Sequence, residues 1–250
     1  MSALSYISEY GSNSEESDSE VDIELHQRTK LPTPKLDQVA VVPVYEHKEN
    51  PELHSGRTRS FPHVRGNWAS YVFIQYGALD AIHELLNRLE EIIFTKVGSC
   101  HRCDDFHISL SKTVILKFHL ISLFNSSLQE CLKHVKRFYL GFTNVEIYCN
   151  EEKSRTFISL KVDSSAQKLL DISKKVDEVL TEFQLPTFYE NPSFHMSIFW
   201  MNGDKKSELS SIVDSINEIL IQETENSITT VLVENINCKI GNKLFQYSLI

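Results

Sequence analysis

The chain has 250 residues, 41% of them hydrophobic and 24% charged, with a formal net charge of -9 at pH 7. That length supports a core needing no disulfide or metal staple, and no run approaches the roughly 18 apolar residues of a membrane-spanning helix. Seven acids (Glu9, Glu15, Glu16, Asp18, Glu20, Asp22, Glu24) fall in the first 25 residues, where there is no Lys or Arg, so the remainder is close to neutral and the net charge does not exclude a polyanionic partner.

Residues 1–30 are Ser- and Glu-rich and read as a disordered tail, too acidic for a signal or mitochondrial presequence; the expectation is an intracellular soluble protein. Residues 31–66 hold five of the seven prolines (Pro32, Pro34, Pro43, Pro51, Pro62) and suit an extended arm. The arm ends in HSGRTRSFPHVRGNW, where His54, Arg57, Arg59, His63 and Arg65 make the one locally basic stretch, either a solvated lead-in or a rim for phosphates. Tail and arm, about residues 1–60, precede a folded region of 61–250.

From Trp68 onward the hydrophobic period alternates between two and about 3.6. WASYVFIQY (68–76) reads as a strand, and Leu79, Ile82, Leu85, Leu86, Leu89, Ile92 and Ile93 trace one helix face. DFHISLS is a second strand, about Phe118 to Lys136 a helix, and FTNVEIYCN a third strand. The pattern then restarts. RTFISLKV (155–162) is a strand, Leu169, Leu170, Ile172, Val176, Val179 and Leu180 mark a helix, and SFHMSIFW (193–200) is a strand. Ser207 is placed to cap a helix through Ile221. ITTVLVENINCKI and KLFQYSLI read as a closing hairpin turned at Gly241 and Asn242.

Both halves thus run strand, helix, strand, helix, strand. This internal repeat predicts an α+β fold: two pseudo-symmetric lobes of antiparallel sheet with flanking helices around a central cleft, about 66–150 and 151–250, with room for strand exchange between them. The expected state is a monomer.

Each half carries a histidine in its second strand, within FHISLS (106–111) and FHMSIF (194–199). Alternate side chains of a strand face opposite sides. His107, Ser109 and Ser111 therefore share a face opposed to Phe106, Ile108 and Leu110, and His195 and Ser197 oppose Phe194, Met196 and Ile198. With ten histidines in the chain, chance alone yields on the order of one His-x-Ser. The matched placement in strands, after Phe and at equivalent points of the repeat, is what singles out the pair.

Two imidazoles suit cleavage of a phosphodiester next to a free 2′-hydroxyl. One takes the proton of the attacking oxygen while the other protonates the leaving oxygen, and an unperturbed pKa near 6.5 serves both. Serine hydroxyls can donate hydrogen bonds to the non-bridging oxygens. This chemistry calls for no metal, and no compact carboxylate cluster of a two-metal nuclease is visible. Five cysteines argue against a disulfide framework. Cys100 and Cys103 form a lone C-x-x-C without a second ligand pair to close a zinc tetrahedron. His83, His119 and His134 lack partners at metal-ligand spacing, and Lys133, Lys136 and Arg137 read as a solvated helix end.

These residues resemble the 2H phosphoesterase superfamily. The longer stretches FPHVRGNWASYV, DDFHISLSKTVIL, EEKSRTFISLKV and FYENPSFHMSIFW resemble the U6 small nuclear RNA phosphodiesterase family, from about Phe61 to Trp200. The resemblance implies a nuclear 3′-to-5′ exoribonuclease that needs no cofactor, trims the uridine-rich 3′ end of U6 RNA and leaves a terminal phosphate, commonly 2′,3′-cyclic. It implies His107 and His195 as acid and base, with His195 deprotonating the 2′-hydroxyl, and Ser109, Ser197 and Ser111 as phosphate ligands. Tyr189 would stack on a terminal base, beside Ser193 and Glu151 as nucleotide contacts. Glu151 stands where the family carries an amide such as glutamine, and Phe199 stands where a small residue is common, so only the first tag has a second serine. Alternative readings are a 2′,3′-cyclic phosphodiesterase on small nucleotides or tRNA fragments, and a catalytically silent RNA-binding module.

Overall fold

The computed structural model describes residues 61, 64–77, 79–163, 165–223 and 230–250. The acidic tail, the Pro-rich arm and most of the basic stretch before Arg65 lie outside them. In chain order the elements are β1 (Asn67–Gln75), α1 (Leu79–Val97), β2 (His101–Arg102), β3 (His107–Ser109), β4 (Val114–Lys117), a 3-10 turn (Phe118–Leu120), α2 (Ile121–Leu132), β5 (Phe138–Cys149), β6 (Arg155–Val162), α3 (Ala166–Glu182), β7 (His195–Asn202), α4 (Lys206–Ser210), α5 (Val213–Glu223), β8 (Thr230–Val233), β9 (Asn235–Ile240) and β10 (Lys243–Ser248).

Among the described residues, ten strands form one antiparallel sheet in the order β10-β9-β1-β3-β7-β6-β5-β8, with β4 on β1 and β2 on β7. The order is pseudo-symmetric about the β3–β7 seam: β1 matches β6, β9 matches β5 and β10 matches β8. The halves of the sheet are not the halves of the chain. The third strand of each half crosses over, so that β5 pairs with β6 and β9 with β1. Each lobe is thereby completed by the other half of the chain. The sheet also curls. Ile250 donates to the Val135 carbonyl at 3.0 Å, and Arg137 donates to the Ile250 carbonyl at 2.8 Å, which ties the end of the chain to the start of β5.

Period-two burial follows the expected alternation. Val72 and Ile74 of β1, Ile108 of β3, Met196 and Ile198 of β7 and Leu160 of β6 point into one core with Leu85, Leu89 and Ile93 of α1 and Leu169, Ile172 and Val176 of α3. Burying each such side chain contributes about 1.5–3 kcal/mol, so the strands are fixed by their apolar faces and offer polar residues on the other.

Three local expectations are corrected. The helix expected to follow a cap at Ser207 starts two residues earlier, at Lys206, and is two helices, α4 and α5, separated at Ser211 and Ile212. The Ser207 side chain is not the cap: Lys205 holds that position, without a side-chain cap bond. Within the stretch ITTVLVENINCKI, the described residues from Thr230 on form two strands at opposite sides of the sheet order, β8 on β5 and β9 on β1, hinged at Glu234. The hairpin turn itself lies where expected, between Ile240 and Lys243. Gly241 takes φ +58°, and a Cβ there would meet the Trp68 ring at 2.4 Å, so both backbone and space require glycine.

Candidate active site

Strands β3 and β7 pair antiparallel with Ile108 opposite Met196. That register sets His107 opposite Ser197 and Ser109 opposite His195, so each imidazole faces the hydroxyl of the other tag. The two histidines are then diagonal neighbours on one face, with β-carbons roughly 7 Å apart, a span that one phosphate can bridge.

The register extends the site into two rows. One runs Gln75, His107, Ser197, Ser159, Glu146; the other runs Phe73, Ser109, His195, Lys161, Asn144. All the side chains of a row point the same way, because antiparallel partners share a face. Period two places residues on a face, but only the strand order reveals that these five strands are adjacent.

Each imidazole is tethered by the carbonyl two residues upstream: His107 Nδ1 lies 3.1 Å from the Asp105 oxygen and His195 Nδ1 lies 2.7 Å from the Ser193 oxygen. A carbonyl can only accept, so Nδ1 carries the proton and Nε2 is left for proton transfer. Burial is the first cause that holds His195 below its ordinary pKa; the Ser193 carbonyl and Glu146 act the other way, and His107 adds to the depression. A neutral His195 with a free Nε2 is equipped as a base. His107 is more open, with 31% of its side chain exposed and the Asp105 carboxylate 3.9 Å from Nδ1.

The serines divide by what surrounds them. Ser197 Oγ lies 3.0 Å from Ser159 Oγ, a fully buried residue that orients it. Ser109 is half-buried beside them, opposite His195. Ser111 does not join the site. It is 3% exposed, accepts the Val72 N–H at 2.9 Å and donates to the Lys112 carbonyl at 2.9 Å. The strand ends at Ser109, so the alternation that would put Ser111 on the catalytic face is broken, and its hydroxyl completes the ladder to β1.

The family model described as HVSL, an uncharacterised conserved protein, matches residues 29–248. A human protein named U6 snRNA phosphodiesterase 1 is 39% identical over 214 residues, 81% of this chain and 78% of its own. The zebrafish protein of that name is 40% identical over 200 residues, 79% of this chain and 72% of its own. The chain belongs to the U6 snRNA phosphodiesterase family. Its fold is also that of the Kluyveromyces marxianus Usb1 structure, with a TM-score of 0.50 at 13% identity, covering 72% of this chain and 98% of that one.

In this U6 snRNA phosphodiesterase family member, Tyr189 and Glu151 come together at the rim through a residue that the sequence reading passed over. Lys112 Nζ stands 4.2 Å over the Tyr189 ring and 3.9 Å from Glu151 Oε1. Tyr189 is 49% exposed and is carried on a loop that Asp177 of α3 anchors by accepting the Phe188 N–H at 2.7 Å. Ser193 is exposed, with its hydroxyl 2.7 Å from the Tyr148 hydroxyl and its carbonyl on His195. Phe199 is fully buried in the core.

Sequence reasoning also missed Tyr148, Glu146, Lys161 and Ser159. Their signal was present as polar residues at alternate positions of apolar strands, Glu146 and Tyr148 in β5 and Ser159 and Lys161 in β6. Away from the site, Cys100 and Cys103 are in no disulfide, and burial pushes the Cys100 thiol up. His101 between them stacks on Trp200 at 4.4 Å. Among the described residues no group of three His, Cys, Asp or Glu is placed to hold a metal ion.

Proposed function

We propose that this protein is a 3′-to-5′ RNA phosphodiesterase that trims the uridine-rich 3′ end of U6 snRNA, with His195 as general base and His107 as general acid. His195 Nε2 takes the proton of the 2′-hydroxyl of the penultimate nucleotide. The 2′-oxygen attacks the adjacent phosphorus, the bond to the 5′-oxygen of the terminal nucleoside breaks, and His107 protonates that oxygen. The terminal residue leaves and the shortened RNA ends in a 2′,3′-cyclic phosphate. Ser109 and Ser197 donate hydrogen bonds to the non-bridging oxygens as charge builds on them, a contribution of about 2.7–4 kcal/mol per donor in comparable sites. Tyr189 stacks on the terminal base with one face of its ring, and Lys112, paired with Glu151, backs the other face. A U6 snRNA substrate favours action in the nucleus, and the proposed acting form is the monomer.

The observation that carries this reading is the register of Ile108 with Met196, which sets both histidines and both serines on one face within the reach of one phosphate. The chemistry draws on imidazoles and hydroxyls alone. Incubation with an RNA ending in oligouridine, in chelator, should give products shortened one nucleotide at a time with cyclic phosphate ends. Opening of a cyclic end without shortening would instead favour a cyclic phosphodiesterase, and binding without turnover would favour an RNA-binding module. Activity abolished by the chelator would refute the mechanism.

A further inference from the structure

Tyr148 touches the machinery of His195 in two separate ways. Its ring lies against the imidazole with centroids 3.9 Å apart and planes 14° from parallel. Its hydroxyl, 2.7 Å from Ser193 Oγ, holds the residue whose carbonyl takes the His195 Nδ1–H. His107 has the equivalent carbonyl tether but no such platform: Phe73 and Tyr71 stand at 73° and 41° to its ring. The difference between the two otherwise matched tags lies on β5.

The phenol is itself held. It donates to Glu146 Oε2 at 2.9 Å, and the other oxygen of that carboxylate is 2.6 Å from Lys161 Nζ. Burial works to raise the Glu146 carboxyl, but the hydrogen bonds from Lys161 and Tyr148 outweigh it and keep the group below its ordinary range. Glu146 is therefore an acceptor only. Burial first, and then Glu146, push the Tyr148 phenol up to about 12, so it keeps its proton at any working pH. The direction of every bond follows: Lys161 and Tyr148 donate to Glu146, the Ser193 hydroxyl donates to Tyr148, and His195 donates to the Ser193 carbonyl. Lys161 sits directly across β6–β7 from His195, so this string closes around the imidazole.

We infer that Tyr148, set by Glu146 and Lys161, is the positioning residue for His195: its ring fixes the imidazole plane, and its hydroxyl, through Ser193, fixes the carbonyl that keeps the proton on Nδ1 and the lone pair on Nε2. The inference rests on the reading of His195 as general base and extends it to the groups that decide which nitrogen is basic and where it points. An imidazole free to rotate about its ring bond would exchange Nδ1 and Cδ2 and lose the attacking hydroxyl. A platform on one side and a tether at the edge remove that freedom before substrate arrives. A packing role alone would require the ring and not the hydroxyl. The charged and titratable groups that face His195 are Glu146 and Tyr148 on β5, Lys161 on β6 and His107 on β3, and Glu146 is the one anion among them. Removing its charge lowers the pKa of His195.

The test pairs an ¹⁵N NMR titration of the imidazole nitrogens of His195 in the free, full-length protein with kcat and KM on oligouridine RNA, for wild type, Tyr148→Phe, Tyr148→Leu and Glu146→Gln. Tyr148→Phe keeps the platform and loses the tether; His195 should become a mixture of tautomers and kcat should fall about tenfold with KM little changed. Tyr148→Leu loses both, and kcat should fall about a hundredfold. Glu146→Gln can still accept from the phenol, so the tautomer should persist while the acidic limb of the pH profile moves to lower pH. Unchanged tautomer and kcat in both Tyr148 variants would overturn the inference. Should Tyr148→Leu fail to fold, Tyr148→Phe decides, since it separates the hydroxyl from the ring. The NMR readout needs no RNA, so a wild-type protein without RNA cleavage whose His195 tautomer still responds to Tyr148→Phe would reject the reaction and uphold the clamp.

Discussion

His107 and Ser197 stand opposite each other across the β3–β7 seam, a consequence of pairing Ile108 with Met196. A slip of one residue in that register would turn one tag to the core face, and the buried Ile108 and Met196 prevent it. The site is therefore specified by the apolar residues between its catalytic ones.

His107→Ala and His195→Ala should each lower kcat by about 10²–10⁴-fold, the range for loss of a positioned general acid or base. Neither side chain fills the core, so circular dichroism and melting should show folded protein in both. A variant that keeps more than a tenth of wild-type kcat would remove its histidine from the reaction.

Ser109→Ala and Ser111→Ala separate two serines that sit two residues apart in the same tag. Loss of the Ser109 hydroxyl should cut kcat by about 10²–10³-fold, as for a lost donor to a developing oxyanion, with little change in stability. Loss of the Ser111 hydroxyl strips the buried Val72 N–H of its acceptor, which should cost about 1–3 kcal/mol in urea unfolding and leave turnover per folded molecule nearly intact. The opposite pattern would return Ser111 to the phosphate site.

The contrast between these serines also shows where sequence ran out. Period two put His107, Ser109 and Ser111 on one face, and it holds as far as the strand does, but β3 ends at Ser109. No propensity announces that end, because Ser111 buys its place by replacing a backbone acceptor. The repeat of strand and helix around His107 and His195 was legible because buried and half-buried positions alternate across each tag, from Phe106 to Leu110 and from Phe194 to Ile198. The crossing of β5 and β9 between lobes was not, since non-local pairing leaves no local pattern. Tyr148 and Lys161 reach the site only through that crossing and the β6–β7 register, which is why the tags alone did not find them.

Tyr189→Ala should raise KM for an RNA ending in uridine by an amount equivalent to about 1–3 kcal/mol, the cost of one lost base–aromatic stack, with kcat reduced less. Lys112 already covers one face of the ring, so the base has the other. Lys112→Met, which keeps the stem and drops the charge, should weaken binding in a salt-dependent manner. A Tyr189→Ala protein with unaltered KM would exclude the ring from the nucleotide subsite.

His195 also links the active site to stability. Its folded pKa lies below the ordinary 6.5, chiefly through burial, so on acidification the unfolded chain takes up this proton first. Between the two values the unfolded state binds more protons, and stability rises with pH. The contribution is complete above the unfolded value and is lost as pH falls through the folded one. Urea unfolding between about pH 7.5 and 5.5 should therefore show wild type losing more stability than His195→Gln, which has no proton to gain at that position. Parallel curves for the two proteins would mean that the imidazole titrates alike in folded and unfolded chains. It would then be too well solvated to be held as the neutral base.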